Sequence, residues 1–186
     1  RALAKEFGSD RNVIGWQLDN EIYMPGTGCF CPVCVDQFRK YLKRKYQTIE
    51  NLNKKWNLNI FSQAFDSFEE IPAPANAWHH PHILLEWNVF QQESCISFLH
   101  MQRKILSEYT DAPIGTDMMP FAGLDYEEMN APMDVVMFNH YNVEENLWMA
   151  GFWFDFLRGL KKKPFWNTET QTGWSAAASV GQIMKP

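Results

Sequence analysis

The sequence predicts an α/β protein built on a parallel β-sheet. Four short apolar segments have the near-continuous hydrophobicity of strands that are buried on both faces. They are separated by long connections, several with the apolar spacing of amphipathic helices, and strands joined through such crossovers pair in parallel. Of the 186 residues, 46% are hydrophobic, which is enough for one sizeable core. We therefore expect one domain, itself incomplete, over residues 1–186.

The order of the predicted elements limits the architecture. The strands are expected at residues 13–18, 113–118, 133–141 and 164–169, and the helices at 1–9, 35–46, 49–56, 83–109 and 144–160. A complete (β/α)₈ barrel needs about 250 residues and eight strands. The four strands indicate about half of such a barrel, or else a small open sheet.

Composition excludes several classes of partner. The net charge is −5, with 17 basic and 22 acidic residues, and no basic run is longer than the three residues of Lys43-Arg44-Lys45 or Lys161-Lys162-Lys163, so no nucleic-acid surface is expected. The longest apolar run, residues 147–154, is far shorter than the roughly 20 residues that cross a bilayer. Four cysteines, of which three lie within six residues, are too few and too clustered for the disulfide framework of a secreted domain, and we expect a cytoplasmic protein. Because the chain begins with Arg1 and shows no signal-peptide pattern, we expect a piece of a longer protein.

Two carboxylates follow predicted strands. Glu21 and Glu169 each lie at the carboxyl end of a predicted strand. In α/β barrel enzymes the catalytic residues are usually at this end of the strands. If these strands are numbers 4 and 7 of a closed barrel, the two carboxyl groups lie about 6 Å apart, near the roughly 5–5.5 Å of a retaining glycosidase. On a flat sheet the separation stays near 14 Å. The alternative is that both residues are ordinary solvated strand ends.

A second cluster consists of cysteines. Cys29, Cys31 and Cys34 offer three thiolates to a tetrahedral Zn²⁺, which needs a fourth ligand. The alternative is three reduced, half-buried thiols without metal. Nothing in the spacing favours His79, His80 or His82 as the fourth ligand. Cys95 stands alone in a predicted helix and is expected to be a core residue.

Several motifs occur in order along nearly the whole chain. They are Trp16-Gln17-Leu18-Asp19-Asn20-Glu21, Cys29-Phe30-Cys31 with Cys34, Leu52-Asn53 with Trp56, Asp134-Val135-Val136, and Pro164-Phe165 with Glu169. This series resembles the glycoside hydrolase family 42 β-galactosidases. The resemblance implies a partial (β/α)₈ TIM barrel, about strands 4 to 7 with their crossover helices.

The resemblance also implies roles for individual residues. Glu21 corresponds to the acid/base and Glu169 to the nucleophile of a retaining hydrolysis of terminal β-D-galactosides, and Asn20 to the residue that holds the sugar 2-hydroxyl. The fourth zinc ligand is expected from a loop that this chain lacks. With barrel strands missing, the chain alone is expected to be weakly active or inactive. Two unpaired sheet edges and an apolar inner face favour a homo-oligomer.

Two aromatic residues are candidates for the sugar site. Tyr141 is expected to hydrogen-bond the nucleophile, with a simple rim aromatic as the alternative, and Trp174 to form a sugar platform, with a gap-filling loop residue as the alternative. The aromatic residues of the last helix are expected to be packing residues: Trp148, Phe152, Trp153 and Phe156.

Three positions depart from the family's pattern. Asp117 stands where asparagine is usual, Asn139 where aspartate is common, and Thr172-Gly173 where Pro-Gly is familiar. These differences bear on sugar specificity. Two other functions remain open: a non-catalytic carbohydrate-binding or zinc-ordered interaction module, and a related glycosidase that acts on another sugar such as an arabinoside.

Overall fold

A computed structural model describes residues 1–22, 28–74, 80–118, 123–141 and 147–170. The chain divides into two compact units. The first, which we call the strand unit, comprises Arg1–Tyr23 and Cys95–Pro186, and the second, which we call the helical unit, comprises Met24–Ser94. Trp174 and the segment Thr172-Gly173 lie outside the described residues.

The strand unit contains four short parallel strands. They are β1 (Trp16–Gln17), β2 (Ile114–Gly115), β3 (Met137–Asn139) and β4 (Trp166–Glu169), each inside a predicted segment but shorter than it. β1 pairs with β2, and β3 pairs with β4, both in parallel as predicted. Backbone hydrogen bonds also join the segments around β2 and β3: Asp134 N–H donates to the Ile114 carbonyl at 2.8 Å and Asn139 N–H to that of Met118 at 3.0 Å.

Close backbone approach at this junction requires glycine. A Cβ atom at Gly115 would lie 2.5 Å from the Val135 carbonyl oxygen, well inside van der Waals contact. Any side chain at position 115 therefore forces β2 away from the segment that precedes β3. The glycine keeps the carboxyl ends of β2 and β3 side by side, and the candidate site is built there.

Helices complete the strand unit. They are α1 (Ala2–Phe7), the C-terminal part of α4 (Pro81–Leu106), α5 (Tyr126–Asn130) and α6 (Leu147–Lys161). The buried core consists of apolar side chains from these helices and from the strands, among them Leu18, Leu99, Ile114, Met129, Phe138 and Leu157. Within the described residues, no helix is long and apolar enough to span a membrane.

The structure corrects one prediction for α6. Trp153 and Phe156 pack against the core as expected, but Trp148 and Phe152 are 72% and 59% exposed. Helical spacing alone did not separate the two sets. The apolar residues of α6 cover most of its circumference, so the period identifies the helix but not its buried face.

The helical unit confirms the predicted helical spacing of residues 35–56. It contains α2 (Pro32–Tyr46), α3 (Ile49–Trp56), the N-terminal part of α4 and two short 3₁₀ turns, Ile60–Ser62 and Phe68–Glu70. The α2–α3 corner is fixed at both of its helix ends. Thr48 accepts a hydrogen bond from Asn51 N–H as the N-cap of α3, and Gln47 is in a positive-φ conformation. The core of the helical unit is apolar and aromatic, and its buried side chains include Phe38, Leu42, Leu52, Trp56, Ile71 and Trp87.

A buried carboxylate ties α2 to α4 within this unit. Glu86 on α4 is 6% exposed and accepts hydrogen bonds from the hydroxyls of Tyr41 at 2.6 Å and Tyr46 at 2.5 Å, and from Lys45 Nζ at 2.8 Å. Burial by itself raises the pKa of Glu86, but the three donors and the Lys45 charge outweigh it and lower the pKa. The ionised form is therefore the one that the fold stabilises.

Replacing this carboxylate tests its contribution to stability. Glu86→Gln leaves a neutral group among three donors and is expected to lower the free energy of unfolding by about 2 kcal/mol. Because the pKa is lowered in the folded state, the wild-type contribution is complete above the ordinary value of 4.5 and is lost as the pH falls through the lower, folded-state value. The variant is expected to lose less stability in that acid range, measured by urea unfolding at a series of pH values.

The control is Glu93→Gln, which changes an exposed glutamate on the same helix. It is expected to leave both stability and its pH dependence nearly unchanged. Equal effects of the two variants would contradict a special role for Glu86.

Candidate active site

The chain turns sharply where β1 ends. Leu18 N–H donates to the Gly115 carbonyl at 2.8 Å, and the Thr116 hydroxyl donates to the Leu18 carbonyl at 2.7 Å. Immediately afterwards Asp19 and Glu21 adopt positive φ angles of 54° and 48°. Such angles are uncommon for residues with a Cβ and persist where the surroundings hold them. Here the turn directs Glu21 across the carboxyl ends of the neighbouring strands.

Three carboxylates converge at these strand ends. Glu21, Asp117 and Glu169 each place one carboxylate oxygen so that all three oxygens lie within 4.8 Å of one another. Glu21 and Glu169 are partly exposed, whereas Asp117 is 1% exposed. The separation expected from the sequence was about 6 Å, on the assumption of a closed barrel. Two partly exposed carboxyl groups this close are suited to a nucleophile and a proton donor acting on one glycosidic bond.

An asparagine amide joins two of the carboxylates. Asn139 Nδ2 donates to Glu21 Oε1 at 2.9 Å and to Asp117 Oδ2 at 2.7 Å. Its Oδ1 accepts a hydrogen bond from the Thr168 hydroxyl at 2.9 Å. The hydroxyl thereby fixes the orientation of the amide, with both N–H groups directed at the acids. Repulsion between Glu21 and Asp117 is reduced because both carboxylates accept a hydrogen bond from the same amide.

An irregularity in the pairing of β3 with β4 brings both Thr168 and Glu169 to the end of β3, beside Asn139. Phe138 is paired with Asn167, but the next residue, Asn139, is paired with Glu169, so that Thr168 is the extra residue of a bulge. Bulges commonly re-aim side chains beside active sites. In this one the Thr168 hydroxyl contacts Asn139 while the next side chain, Glu169, belongs to the carboxylate cluster.

Tyr141 lies against Glu169. Its hydroxyl donates to Glu169 Oε2 at 2.5 Å. This hydrogen bond, with partial desolvation and the charges of Glu169 and Glu21, raises the pKa of Tyr141 to about 12. The phenol is therefore protonated at neutral pH and acts as a fixed donor to one oxygen of Glu169.

Asp117 is the buried member of the cluster. Burial raises its pKa and the charge of Glu169 adds to the effect, while hydrogen bonds from Glu21 N–H and from Asn139 oppose it. Asp117 Oδ1 accepts the Glu21 N–H at 3.1 Å. Both oxygens of Asp117 therefore accept a hydrogen bond inside the protein, one from the backbone of Glu21 and one from the amide of Asn139.

The other predicted sugar-site residue in the described part of the chain is Asn20. It is exposed, and its Oδ1 lies 3.5 Å from Gln17 Nε2. Three residues of the network, Asp117, Asn139 and Thr168, were not among the predicted site residues. A signal for two of them was present, because Asp117 and Asn139 end strands just as the two glutamates do. The contact of Thr168 with Asn139 could not be predicted from the sequence, because it depends on the bulge in β4.

The cysteines form a separate cluster in the helical unit. The thiol sulfurs of Cys29, Cys31 and Cys34 lie within 4.8 Å of one another, and sulfurs at 2.3 Å from a tetrahedral zinc ion would be roughly 3.8 Å apart. Hydrogen bonds, the largest from the backbone of Cys34, lower the pKa of Cys31, and burial raises the pKa of Cys34 to about 12. Three thiols this close together fit a metal site, in which a bound cation would favour their ionised form.

Gln91 holds the loop that carries these cysteines. Its side chain accepts the Cys29 N–H at 3.2 Å and donates to the Cys29 carbonyl at 3.4 Å. The preceding Gly28 has φ 85°, and a Cβ there would lie 3.0 Å from Gln91 Cγ. Phe30 stacks on Trp87 at 5.1 Å.

The three carboxylates of the strand unit are also of a type that binds cations, but two of their oxygens already accept hydrogen bonds from Asn139.

Comparison with known proteins gives one consistent result. The pattern of glycoside hydrolase family 42, described as β-galactosidase, matches residues 1–186. The chain is 33% identical over 178 residues to β-galactosidase YesZ of Bacillus licheniformis, covering 94% of this chain and 27% of that protein. For YesZ of Bacillus subtilis the identity is 34%, with 95% and 27% covered.

Solved structures agree with the sequence relatives. A β-galactosidase from Bacillus circulans sp. alkalophilus superposes with a TM-score of 0.79 at 32% identity over 88% of this chain and 26% of that one. Gan42B, a β-galactosidase of G. stearothermophilus, does so with a TM-score of 0.85 at 27% identity over 100% of this chain and 29% of that one. The chain spans a little over a quarter of the length of the curated relatives it matches. It belongs to glycoside hydrolase family 42.

Proposed function

We propose that this chain is the strand 4 to strand 7 part of the (β/α)₈ catalytic barrel of a β-galactosidase. In this proposal the complete protein hydrolyses terminal β-D-galactosides with retention of configuration. The observation that carries it is the approach of the Glu21 and Glu169 carboxylate oxygens to within 4.8 Å at the carboxyl ends of β1 and β4. Membership of the family and the names of the relatives support the substrate class.

The proposed barrel explains why these side chains converge. β1 to β4 correspond to barrel strands 4 to 7, and parallel pairing together with the hydrogen bonds between the β2 and β3 segments supports that order. Carboxyl ends of barrel strands face one common pocket. The remaining strands come from the rest of the complete protein, and the chain alone is expected to have little activity. Its unpaired strand edges favour self-association, and we propose a cytoplasmic location.

The mechanism uses the two glutamates in two steps. In the first, a Glu169 oxygen attacks the anomeric carbon while Glu21 delivers its proton to the leaving glycosidic oxygen, so that a galactosyl ester forms as the old bond breaks. In the second, Glu21 removes a proton from water, whose oxygen attacks the anomeric carbon and releases Glu169. Two inversions give net retention.

Neighbouring groups set which oxygens react. Tyr141 donates to Glu169 Oε2, so Oε1 is the oxygen left free for attack. The same hydrogen bond stabilises the carboxylate when it departs in the second step. Asn20 is proposed to bind the sugar 2-hydroxyl, and Trp174 to stack on the apolar face of the sugar. A panel of aryl glycosides that includes an α-L-arabinoside separates the galactosidase from a relative with another specificity.

The cysteine cluster is proposed to hold a structural Zn²⁺. Cys29, Cys31 and Cys34 supply three thiolates, and the complete protein supplies the fourth ligand. The ion would cross-link the loop to the start of α2, whose N-terminal dipole favours thiolates. It takes no part in the reaction, since neither glutamate belongs to this cluster.

The nucleophile assignment is tested first by substitution. In the complete protein Glu169→Gln is expected to lower kcat for an aryl β-galactoside by about 10⁴-fold, because an amide cannot form the ester. Glu108→Gln changes an exposed glutamate of the same unit and is expected to keep wild-type activity.

Added azide then assigns the roles of the two glutamates. It should replace the missing nucleophile and yield the α-galactosyl azide with Glu169→Gly, and it should attack the galactosyl ester and yield the β-galactosyl azide with Glu21→Ala. The opposite products would exchange the two roles, and full activity of Glu169→Gln would refute the proposal.

The Tyr141 hydrogen bond has its own test. Tyr141→Phe is expected to lower kcat about ten- to hundredfold with a smaller change in KM, because Glu169 loses a donor that favours its ionised form. For the same reason the acidic limb of the pH–activity profile should move to higher pH. Tyr109→Phe removes a phenol elsewhere in the strand unit and should move neither quantity. An unchanged acidic limb for Tyr141→Phe would contradict the contact.

Metal analysis tests the zinc proposal. The complete protein is expected to contain about one zinc ion per chain, and Cys31→Ser to lose it together with thermal stability. Cys95→Ala, a thiol outside the cluster, is expected to retain the metal. A wild-type protein free of zinc, or a Cys31→Ser variant that keeps it, would contradict the assignment.

A further inference from the structure

We propose that Asp117 and Asn139 form a positioning pair, one acid and one amide, that fixes the conformation of Glu21 and the oxygen on which its proton is carried. This inference rests on the proposed function, since it concerns how Glu21 works as the acid/base. It adds two residues that touch neither sugar nor reacting atom in that mechanism. They act through Glu21.

Asn139 determines which Glu21 oxygen is available. Its Nδ2 donates to Glu21 Oε1 at 2.9 Å, and an oxygen that accepts this hydrogen bond is not the site of protonation. The proton delivered to the leaving group is therefore carried on Oε2. Since the Thr168 hydroxyl donates to Asn139 Oδ1, the amide cannot turn over without losing that hydrogen bond and placing its oxygen against two carboxylates.

Asp117 holds the backbone that carries Glu21. Its Oδ1 accepts the Glu21 N–H at 3.1 Å, and its Oδ2 accepts from Asn139 at 2.7 Å. Glu21 has a positive φ of 48°, a conformation that an unrestrained glutamate leaves readily. Almost complete burial of Asp117 leaves its two hydrogen bonds without competition from water.

The pair works only with one acid and one amide. With aspartate at both positions, a fourth carboxylate would join Glu21, Asp117 and Glu169, and the donor that now links Glu21 to Asp117 would be lost. With asparagine at both, the amide at position 117 could offer its oxygen to one of its two donors and would set an N–H against the other. Asp117 and Asn139 are direct hydrogen-bond partners. Exchanging their side chains keeps one charge and one amide in place.

The experiment compares Asp117→Asn, Asn139→Asp and the exchanged double variant in the complete enzyme. Each single variant is expected to lower kcat about ten- to hundredfold with KM changed less, because orientation of the acid/base is lost. The double variant should be more active than either single one. Asn139→Asp sets a negative charge beside Glu21, so the basic limb of the pH–activity profile should move to higher pH, whereas Asp117→Asn removes a charge and should move it to lower pH.

Controls separate positioning from folding. Asn130→Asp makes the same change at another buried asparagine, whose amide contacts Met118 and Tyr126 rather than the acids, and it should leave the basic limb in place even if stability falls. If Asn139→Asp does not fold, Thr168→Val frees the amide without adding charge and is expected to lower kcat several-fold at unchanged KM.

The outcomes distinguish this inference from the proposed function. Additive effects of the two substitutions, with no movement of the basic limb, would overturn the positioning pair, as would a Thr168→Val enzyme with wild-type kcat. If at the same time Glu169→Gln abolishes activity, the glycosidase proposal stands without the pair. If Glu169→Gln is fully active, the proposed function itself fails.

Discussion

The candidate site depends on one shared hydrogen-bond donor. Three carboxylates within 4.8 Å of one another repel strongly unless something between them carries opposing polarity. The Asn139 amide does so for Glu21 and Asp117, and the Tyr141 hydroxyl does so for Glu169. Each of the two glutamates thus has one oxygen that accepts a hydrogen bond from a fixed donor, and both oxygens of Asp117 do so. The site is pre-organised because Asn139 is the last residue of β3 and Tyr141 follows it by two residues.

The fold supplies this arrangement through small backbone devices. Gly115 allows the segments around β2 and β3 to approach, the turn at Asp19 and Glu21 redirects the chain after β1, and the bulge at Thr168 adds a residue before Glu169. Each of the three is a local departure from regular geometry beside the same cluster. Strained or irregular backbone commonly concentrates where side chains must be aimed for chemistry.

Much of this could be predicted from the sequence, but only to the level of elements. The buried strands, the parallel pairing and the helices α2 to α4 follow from hydrophobic period, and Glu21 and Glu169 from their place after strands. The exposed Trp148 and Phe152 were misjudged because period identifies a helix and not its buried face. The contacts of Asp117, Asn139 and Thr168 could not be predicted from the sequence. They depend on strand register, on a bulge and on the orientation of an amide, and the local sequence pattern determines none of these. Trp174 remains a prediction.

In the proposed hydrolysis, Glu169 becomes covalently bonded to the sugar. The most direct measurement is inactivation of the complete protein with a 2-deoxy-2-fluoro-β-galactoside carrying a good leaving group, followed by peptide mass spectrometry. We expect stoichiometric addition of one fluorogalactosyl group to the peptide that contains Glu169, at the carboxylate of that residue. A label on any other side chain, or turnover of the reagent with no trapped ester, would contradict it.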